Sequence, residues 1–182
     1  STLIDEIPEI ETAVRFRGWG GFLVKRENAK ETIRENGVIW ADSTFFKIFS
    51  IPVLKGDANS ALKNPNSIAI SRTIAEKYFK NEEPLGEILM LGNFACKVTA
   101  VYQDMPATGH FRFDILLSME GLDEAKSTMY LSNNFNTYVL LNEGVDPEVV
   151  EKKFPELVIK YWGPQAGQMI GGEFDLEKFV QA

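Results

Sequence analysis

The sequence predicts an α+β fold, in which short strands are joined mostly by turns and only a few helices interrupt them. Three observations support this prediction: stretches of alternating apolar and polar residues, turn residues between these stretches, and apolar stripes with helical spacing. A doubly wound sheet would require a helix after nearly every strand, which the frequent turn residues argue against. A chain of 182 residues can bury a core without a metal or a disulfide.

The N-terminal part is predicted to form a hairpin followed by a third strand. Residues 14–17 alternate between apolar and charged side chains, and the alternation resumes at Phe22 and Val24. Residues 18–21 contain three glycines, which suit the turn of a hairpin. The stretch GVIWAD, residues 37–42, predicts the third strand.

A short aromatic helix is predicted next. Phe45, Phe46 and Phe49 share one face at helical spacing. Asp42 or Ser43 can accept hydrogen bonds from the free amides at the start of this helix. A polar stretch rich in turn residues then connects the helix to the next strand.

A strand that runs directly into a second helix is predicted in the middle of the chain. Ile68 and Ile70 alternate with small residues, and Ser71 or Thr73 can cap the helix that follows. Thr73 and Glu76 have the spacing of a capping box. The apolar stripe of this helix consists of Ile74, Ala75, Tyr78 and Phe79.

Further strands are predicted after this helix. Residues 88–90 and 94–101 form a strand pair, and residues 135–142 form another strand. In the intervening stretch 111–117, the apolar side chains Phe111, Phe113, Ile115 and Leu117 alternate and predict one continuous strand.

The C-terminal region is predicted to be helical. Asp146 followed by Pro147 is a strong start signal, because the carboxylate accepts from free amides and proline needs no amide partner there. Pro155 divides the helical region, and a second apolar stripe follows it at Leu157, Val158, Tyr161 and Trp162. Residues 171–182 are predicted to form a final strand.

Charge and cysteine content narrow the function classes. The formal net charge of −7 disfavours nucleic acid and anionic lipid surfaces as partners, because both repel an acidic protein. Cys96 is the only cysteine and lies on the apolar face of a predicted strand, which indicates a buried, unreactive thiol. One cysteine cannot form a disulfide within the chain.

The sequence nominates no catalytic, cofactor-binding or metal-ligating residue. The turn between the strand at Ile68 and the following helix has no glycine, so it lacks the backbone space that a phosphate-binding loop needs. His110 is the only histidine, and it has no neighbour at the spacing of a zinc site. The carboxylates cluster in polar turns, where a solvated surface is the usual explanation. We therefore expect no enzymatic activity and no cofactor.

The chain contains no apolar run long enough to span a bilayer, and we expect no signal peptide within it, because no charged n-region followed by an apolar h-region is visible. It starts at Ser1 without a methionine, and we expect it to be a segment of a longer protein.

Three consecutive stretches resemble the periplasmic core domain of MacB-type ABC transporter permeases, within the broader FtsX-like group. The shared features are a strand ending in Ala-Asp, the motif AEKYF, a PLG turn, and VTAVYQDMP followed by HFRFD. The stretch PATGHFRFD is especially similar to permeases of Bacteroidetes-like bacteria. The three stretches are GVIWADSTFFKIFSIPVLKGD, SIAISRTIAEKYFKNEEPLGEILML and FACKVTAVYQDMPATGHFRFDILLSM.

The resemblance implies two lobes. Residues 1–40 and 105–182 would form a lobe similar to the porter subdomain of resistance-nodulation pumps, and residues 41–104 a smaller inserted α/β lobe. In this family the domain is inserted between the first and second of four transmembrane helices, so the resemblance implies the periplasmic domain of an inner-membrane protein.

The resemblance also implies a function and partners. Such domains do not hydrolyse ATP, but carry conformational change from a cytoplasmic ABC ATPase across the membrane. The implied partners are that ATPase, a periplasmic adaptor or lipoprotein, and a second permease copy in a homodimer. Partner-binding residues known in the family match no motif in this chain.

Two alternatives stay open. A sensor or small-ligand-binding module could also be built from two α/β lobes, and a deep pocket with convergent polar groups would identify it. An enzyme with carboxylates far apart in the chain would show a cleft with perturbed titrating groups.

Overall fold

The structure is a computed structural model, and it describes residues 2–18 and 20–170 of the chain. Strands and helices alternate irregularly along these residues, which confirms the predicted α+β class. The strands are β1 (Ile10–Gly18), β2 (Phe22–Arg26), β3 (Ile33–Glu35), β4 (Val38–Ala41), β5 (Val53–Gly56), β6 (Ser67–Ser71), β7 (Ile88–Leu91), β8 (Phe94–Tyr102), β9 (Ile115–Ser118) and β10 (Asn136–Leu141). The helices are α1 (Thr2–Glu6), α2 (Phe45–Phe49), α3 (Arg72–Phe79), α4 (Pro147–Glu151), α5 (Phe154–Leu157) and α6 (Gly163–Ile170), with a π-helical turn, Val158–Trp162, between α5 and α6.

The chain divides into two compact units. Residues Val14–Lys126 form the first, which we call the sheet unit. The second, which we call the terminal unit, contains residues 2–13 together with 127–170 among those described. The lobes implied by the family resemblance have other boundaries, near residues 40 and 104, and they stay a prediction.

The sheet unit is built on a mixed sheet in the order β1-β4-β9-β6-β8-β7-β2-β3, and β5 also pairs with β8. The pairs β4–β9 and β6–β8 are parallel, whereas the neighbouring pair β6–β9 is antiparallel. All residues of β6 and β9 are buried, as expected for strands covered on both faces. Helix α3 contacts β6 and β8 and buries Ile74 and Phe79.

An aromatic cluster lies next to this sheet. The ring of Phe16 is within 6.0 Å of the ring of Phe45 and within 5.6 Å of the ring of Phe111. The rings of Phe111 and Phe113 are stacked at 5.0 Å. Several of the 13 phenylalanines of the sequence lie in this cluster, where aromatic pairs add directional contacts to the area that they bury.

The predicted hairpin between residues 14–17 and 22–24 is wrong. Strand β1 pairs with β4, and β2 pairs with β3 and β7. The alternating pattern correctly located the strands, but it carries no information about which strand lies beside which. Trp19, in the glycine-rich stretch between them, lies outside the described residues.

Two predicted features near the helix starts differ from the structure. Thr44, and neither Asp42 nor Ser43, precedes α2, and it makes no capping bond with its side chain. Asp42 instead accepts hydrogen bonds from the backbone N–H and the guanidinium of Arg15. The predicted strand 111–117 begins only at Ile115, because the backbone N–H of Phe113 donates to the Met105 sulfur and its carbonyl accepts from the Tyr102 hydroxyl, so neither group bonds a neighbouring strand.

Helix α3 is capped by the first of its two predicted candidates. The Ser71 hydroxyl accepts from the Ile74 N–H at 3.3 Å. The capping box of Thr73 and Glu76 is wrong, since the Thr73 N–H donates to the carboxylate of Asp104.

In the terminal unit, the predicted strand at 135–142 is confirmed as β10, which is the neighbour of β1 in the strand order. The predicted helix start is confirmed as well, because the Asp146 carboxylate accepts from the Glu148 N–H and Pro147 occupies the first turn of α4. Pro155 lies in the first turn of α5, so the helical region is divided as predicted. The strand predicted for residues 171–182 lies outside the described residues.

Candidate functional site at the two chain ends

The two ends of the described chain meet within the terminal unit. Residues 2–10 form one side of this contact, and residues 130–165, on β10 and the C-terminal helices, form the other. We call this contact the terminal interface. It is the candidate functional site because it joins segments that are more than 120 residues apart in the chain through a cluster of ionic contacts.

An apolar cluster forms the centre of the terminal interface. Ile7, Ile10 and Val150 are each at most 4% exposed. The chain turns sharply between α1 and β1, where the Ile10 N–H donates to Ile7 O, and this turn places both isoleucines on the same side. The partly buried apolar side chains around the cluster are Leu3, Val139, Leu141, Val145, Phe154 and Leu157.

Glu6 connects the end of α1 to the π turn. Its Oε1 accepts a hydrogen bond from Lys160 Nζ at 2.6 Å and another from the Tyr161 hydroxyl. The two donors are consecutive in sequence and more than 150 residues from Glu6. One carboxylate therefore holds two neighbouring residues of the C-terminal helix.

Glu9 makes the second ionic contact. Lys153 Nζ lies 2.6 and 2.7 Å from its two carboxylate oxygens. Beside it, the Asn142 N–H donates to Glu9 O and the Asn142 side-chain amide donates to Pro8 O, both at 2.9 Å. The entry into β1 is thus fixed by one ion pair and two hydrogen bonds to backbone carbonyls.

Tyr130 completes the interface at the start of α1. Its hydroxyl lies 2.9 Å from the Thr2 hydroxyl, and its ring centroid lies 5.0 Å from that of Tyr161. The Gln165 side chain accepts from the Tyr130 N–H and donates to Thr128 O. These contacts connect α6 to the segment before β10.

The ionic contacts shift the pKa values of the groups that make them. Hydrogen bonds from Lys160 and Tyr161 lower the pKa of Glu6, and the hydrogen bond from Lys153 lowers the pKa of Glu9. The same contact with Glu6 raises the pKa of Lys160 and of Tyr161. All four shifts favour the paired form at neutral pH.

The residues considered during sequence analysis as chemical candidates lie elsewhere. His110 is exposed in the loop before β9, where its ring contacts that of Phe111 at 4.4 Å. Cys96 is fully buried, and burial raises the pKa of its thiol to about 11, which confirms the prediction of a buried thiol. Within residues 2–18 and 20–170, no group of acidic, histidine or cysteine side chains has the arrangement of a metal site.

Sequence reasoning did not find the terminal interface. Its ionic partners are separated by 144 and 154 residues, and isolated glutamates and lysines on a surface carry no sign of their partners. The one signal that the sequence offered was indirect: both ends of the chain contain apolar residues at helical spacing next to charged ones.

Comparison with known proteins identifies the family. A family model described as the MacB-like periplasmic core domain matches residues 2–157, which is most of the chain. No match is found among curated proteins. None of the helices in the described part of the chain is both long enough and apolar enough to cross a bilayer.

Solved structures share the fold. A domain of a permease protein from Porphyromonas gingivalis aligns with a TM-score of 0.76 and 24% identity, over 88% of this chain and 74% of its own. The periplasmic region of MacB from Actinobacillus actinomycetemcomitans aligns with a TM-score of 0.69 and 14% identity, over 95% of this chain and 81% of its own. The extracellular domain of the noncanonic ABC-type transporter YknZ from Gram-positive bacteria aligns with a TM-score of 0.63 and 17% identity, over 89% of this chain and 81% of its own.

These structures agree with the family model, and the Porphyromonas neighbour agrees with the predicted link to Bacteroidetes-like bacteria. The order of the sequence motifs, the α+β fold and the family match lead to the same assignment. The chain belongs to the MacB-like periplasmic core domain family, and it is a periplasmic domain of an ABC transporter permease.

Proposed function

We propose that this domain transmits the movement of the permease's membrane helices to a partner or substrate on the outer side of the membrane. The observation that carries the proposal is the terminal interface, which joins both ends of the described chain in one compact unit. The family resemblance implies a domain inserted between two membrane helices, so each end of the domain would continue towards one of them. A displacement of either helix would then act on the same unit.

The contacts of the terminal interface suit this role. The buried cluster of Ile7, Ile10 and Val150 resists separation of the two ends, since separating them would expose apolar surface to water. The ion pairs of Glu6 and Glu9 lie at the rim, where they can be broken and remade at small cost. Packed elements joined in this way move as bodies and change by small shifts at their contacts.

The proposed mechanism requires no chemistry within the domain. Energy would come from the ABC ATPase, which family membership implies as a partner of the parent permease. On the outer side, the domain would engage a periplasmic adaptor or lipoprotein, and the parent permease would act as a homodimer. The acidic surface of the domain favours a partner with a basic contact surface.

The test uses the parent permease together with its ATPase in lipid nanodiscs. A donor dye is attached at Leu54→Cys, a position that is 48% exposed on β5, and acceptor dyes are placed on the lipid headgroups. We expect energy transfer to differ between the nucleotide-free state and a state trapped with ATP and vanadate, because the domain would move relative to the bilayer. Native Cys96 should not compete for the dye, since it is buried.

The variant E6Q/E9Q should reduce this nucleotide-dependent change while ATP hydrolysis continues. The control variant E151Q changes an exposed carboxylate on α4 and should behave like the unmodified protein. Equal energy transfer in both nucleotide states of the unmodified protein would contradict the proposal.

The alternative of a small-ligand-binding module receives less support from the described residues. Two concave regions on their surface contain charged side chains that already pair with one another, Arg26 with Glu87 in one and Glu6 with Lys160 in the other. A metabolite that raised the melting temperature of the domain by several degrees in a thermal-shift screen would favour this alternative.

A further inference from the structure

The C-terminal helix contains one turn with unusual hydrogen bonding. Residues 154–170 are helical without a break, but within Val158–Trp162 the helix is π-helical, and the Gly163 N–H donates to Val158 O, five residues earlier. Such turns are rare and occur mostly as single turns inside α-helices, often at functional sites. The turn therefore requires an explanation from its surroundings.

The local sequence weakens the α-helix at this point. Pro164 has no N–H, so the helix lacks one of its hydrogen bonds there. In a regular α-helix the ring of Pro164 would also clash with the carbonyl group of Lys160, four residues earlier. Gly163 adds backbone freedom directly before the proline. Prolines and π turns are both recognised positions of helix kinks, so the segment from Val158 to Pro164 is the weakest part of this helix.

Glu6 holds this weak segment in place. Its Oε1 binds both Lys160 Nζ and the Tyr161 hydroxyl. Consecutive residues of an α-helix point in different directions, so they do not normally bind the same atom. A π turn contains more residues per turn than an α-helix, so consecutive side chains point in more similar directions. One carboxylate can therefore bind both. Tyr130 supports the arrangement by packing its ring against that of Tyr161.

We infer that the segment Val158–Pro164 is a hinge for α6 and that Glu6 is the latch that keeps this hinge closed. With Glu6 bound to both side chains, the π turn is held in the arrangement that the structure shows. When the latch is released, α6 can swing about the π turn and the proline. The inference rests on the proposed function in one respect, namely the force that would release Glu6. That force would be tension from the membrane helix that the family resemblance implies after the domain.

The hinge can be tested in the isolated domain. Nitroxide labels are attached at Val149→Cys on α4 and Met169→Cys on α6, positions that are 44% and 76% exposed, and their distance is measured by pulsed electron paramagnetic resonance. Cys96 can remain, because its burial protects it from labelling. With the latch intact, we expect one narrow distance distribution.

The variant E6A should broaden this distribution at least twofold, because the π turn loses both bonds to Glu6 and α6 is then restrained by the hydrogen bonds of Gln165 instead of an ionic contact. E6Q keeps the size of the side chain but removes its charge, and it should give an intermediate width. The control E151A removes an exposed carboxylate on α4, away from the contact between Glu6 and the π turn, and it should leave the distribution narrow. Amide hydrogen exchange at Val150 shows whether each variant keeps the core of the terminal unit.

Adding P164A to E6A should narrow the distribution again, because alanine restores the hydrogen bond and favours a continuous helix. An unchanged width in both E6A and E6Q would show that Glu6 is not the latch. A distribution that stays broad in E6A/P164A would place the hinge elsewhere. The distance measurement needs neither membrane nor nucleotide. A negative result would therefore contradict the hinge but not the proposed transmission of movement. Conversely, unchanged energy transfer in nanodiscs would contradict the transmission of movement but not the hinge.

Discussion

In the sheet unit, strands β6 and β9 are buried over their whole length, whereas in the terminal unit β10 has no fully buried residue. The sheet unit is stabilised mainly by apolar and aromatic contacts within its interior. The terminal unit combines a small apolar cluster with ion pairs and hydrogen bonds at its rim. The two units therefore differ in how large a buried interior they have, while ion pairs occur at the surface of both.

This difference has consequences for how each unit responds to its environment. Apolar burial changes little with salt or moderate pH, while exposed ion pairs weaken when salt screens them or when a partner titrates. One unit with a large buried core and another with exposed ionic contacts would suit the proposed transmission of movement. The comparison can be tested by weakening each unit separately.

The largest effect is expected from the interior of the sheet unit. The variant F45A removes a fully buried ring from the aromatic cluster and should lower the free energy of unfolding by about 3–5 kcal/mol. Urea denaturation followed by circular dichroism measures this change. L54A, at an exposed position on β5, is the control and should change the free energy by less than about 0.5 kcal/mol. A loss below about 1 kcal/mol in F45A would contradict the importance of the cluster.

A smaller effect is expected from the core of the terminal unit. The variant I7A leaves a cavity next to Ile10 and Val150 and should destabilise this unit by about 2–3 kcal/mol. Amide hydrogen exchange should increase along residues 2–10 and 139–157 and remain nearly unchanged in β6 and β9. Equal increases in β6 and β9 would mean that the two units do not differ in the way described above. I4A, at a partly exposed position on α1, provides the matched control.

The cap of α4 should contribute less. D146A removes the acceptor of the Glu148 N–H and should cost about 1 kcal/mol, measured as a lower melting temperature. D146S keeps an oxygen that can accept this hydrogen bond and should recover most of the loss. If the serine variant is as unstable as the alanine variant, the hydrogen bond is not the cause.

The smallest effect should come from the ionic contacts at the rim, and it should depend on pH. The folded-state pKa values of Glu6 and Glu9 are lowered by their partners. Their stabilising contribution is therefore complete above the unfolded pKa of about 4.3 and is lost as pH falls through the folded values. We expect hydrogen exchange of residues 2–10, corrected for its intrinsic pH dependence, to rise below about pH 4, and high salt to raise it at pH 7.

The double variant E6Q/E9Q serves as the reference for this experiment. It should show faster exchange of residues 2–10 already at pH 7 and little further change on acidification or on addition of salt. If residues 2–10 exchange at the same rate in the unmodified protein and in the double variant at every pH, these carboxylates do not stabilise the terminal interface.

Much of the local structure could be predicted from the sequence. Alternation and helical spacing located most strands and the larger helices, and the signals at Ser71 and at Asp146–Pro147 identified two helix starts. These features depend on residues that are near one another in the chain, so their physical causes are visible in a short stretch. The ordered motifs between residues 37 and 119 were also sufficient for the family.

The partners of the strands and the terminal interface could not be predicted in this way. Strand β1 lies beside β4 and not beside β2, and α2 begins at a residue without a capping bond because Asp42 binds Arg15. Glu6 and Glu9 gain their roles from residues about 150 positions away. Local sequence determines which conformations a segment prefers, but contacts between distant segments depend on the packing of the whole chain, where many weak interactions are satisfied together.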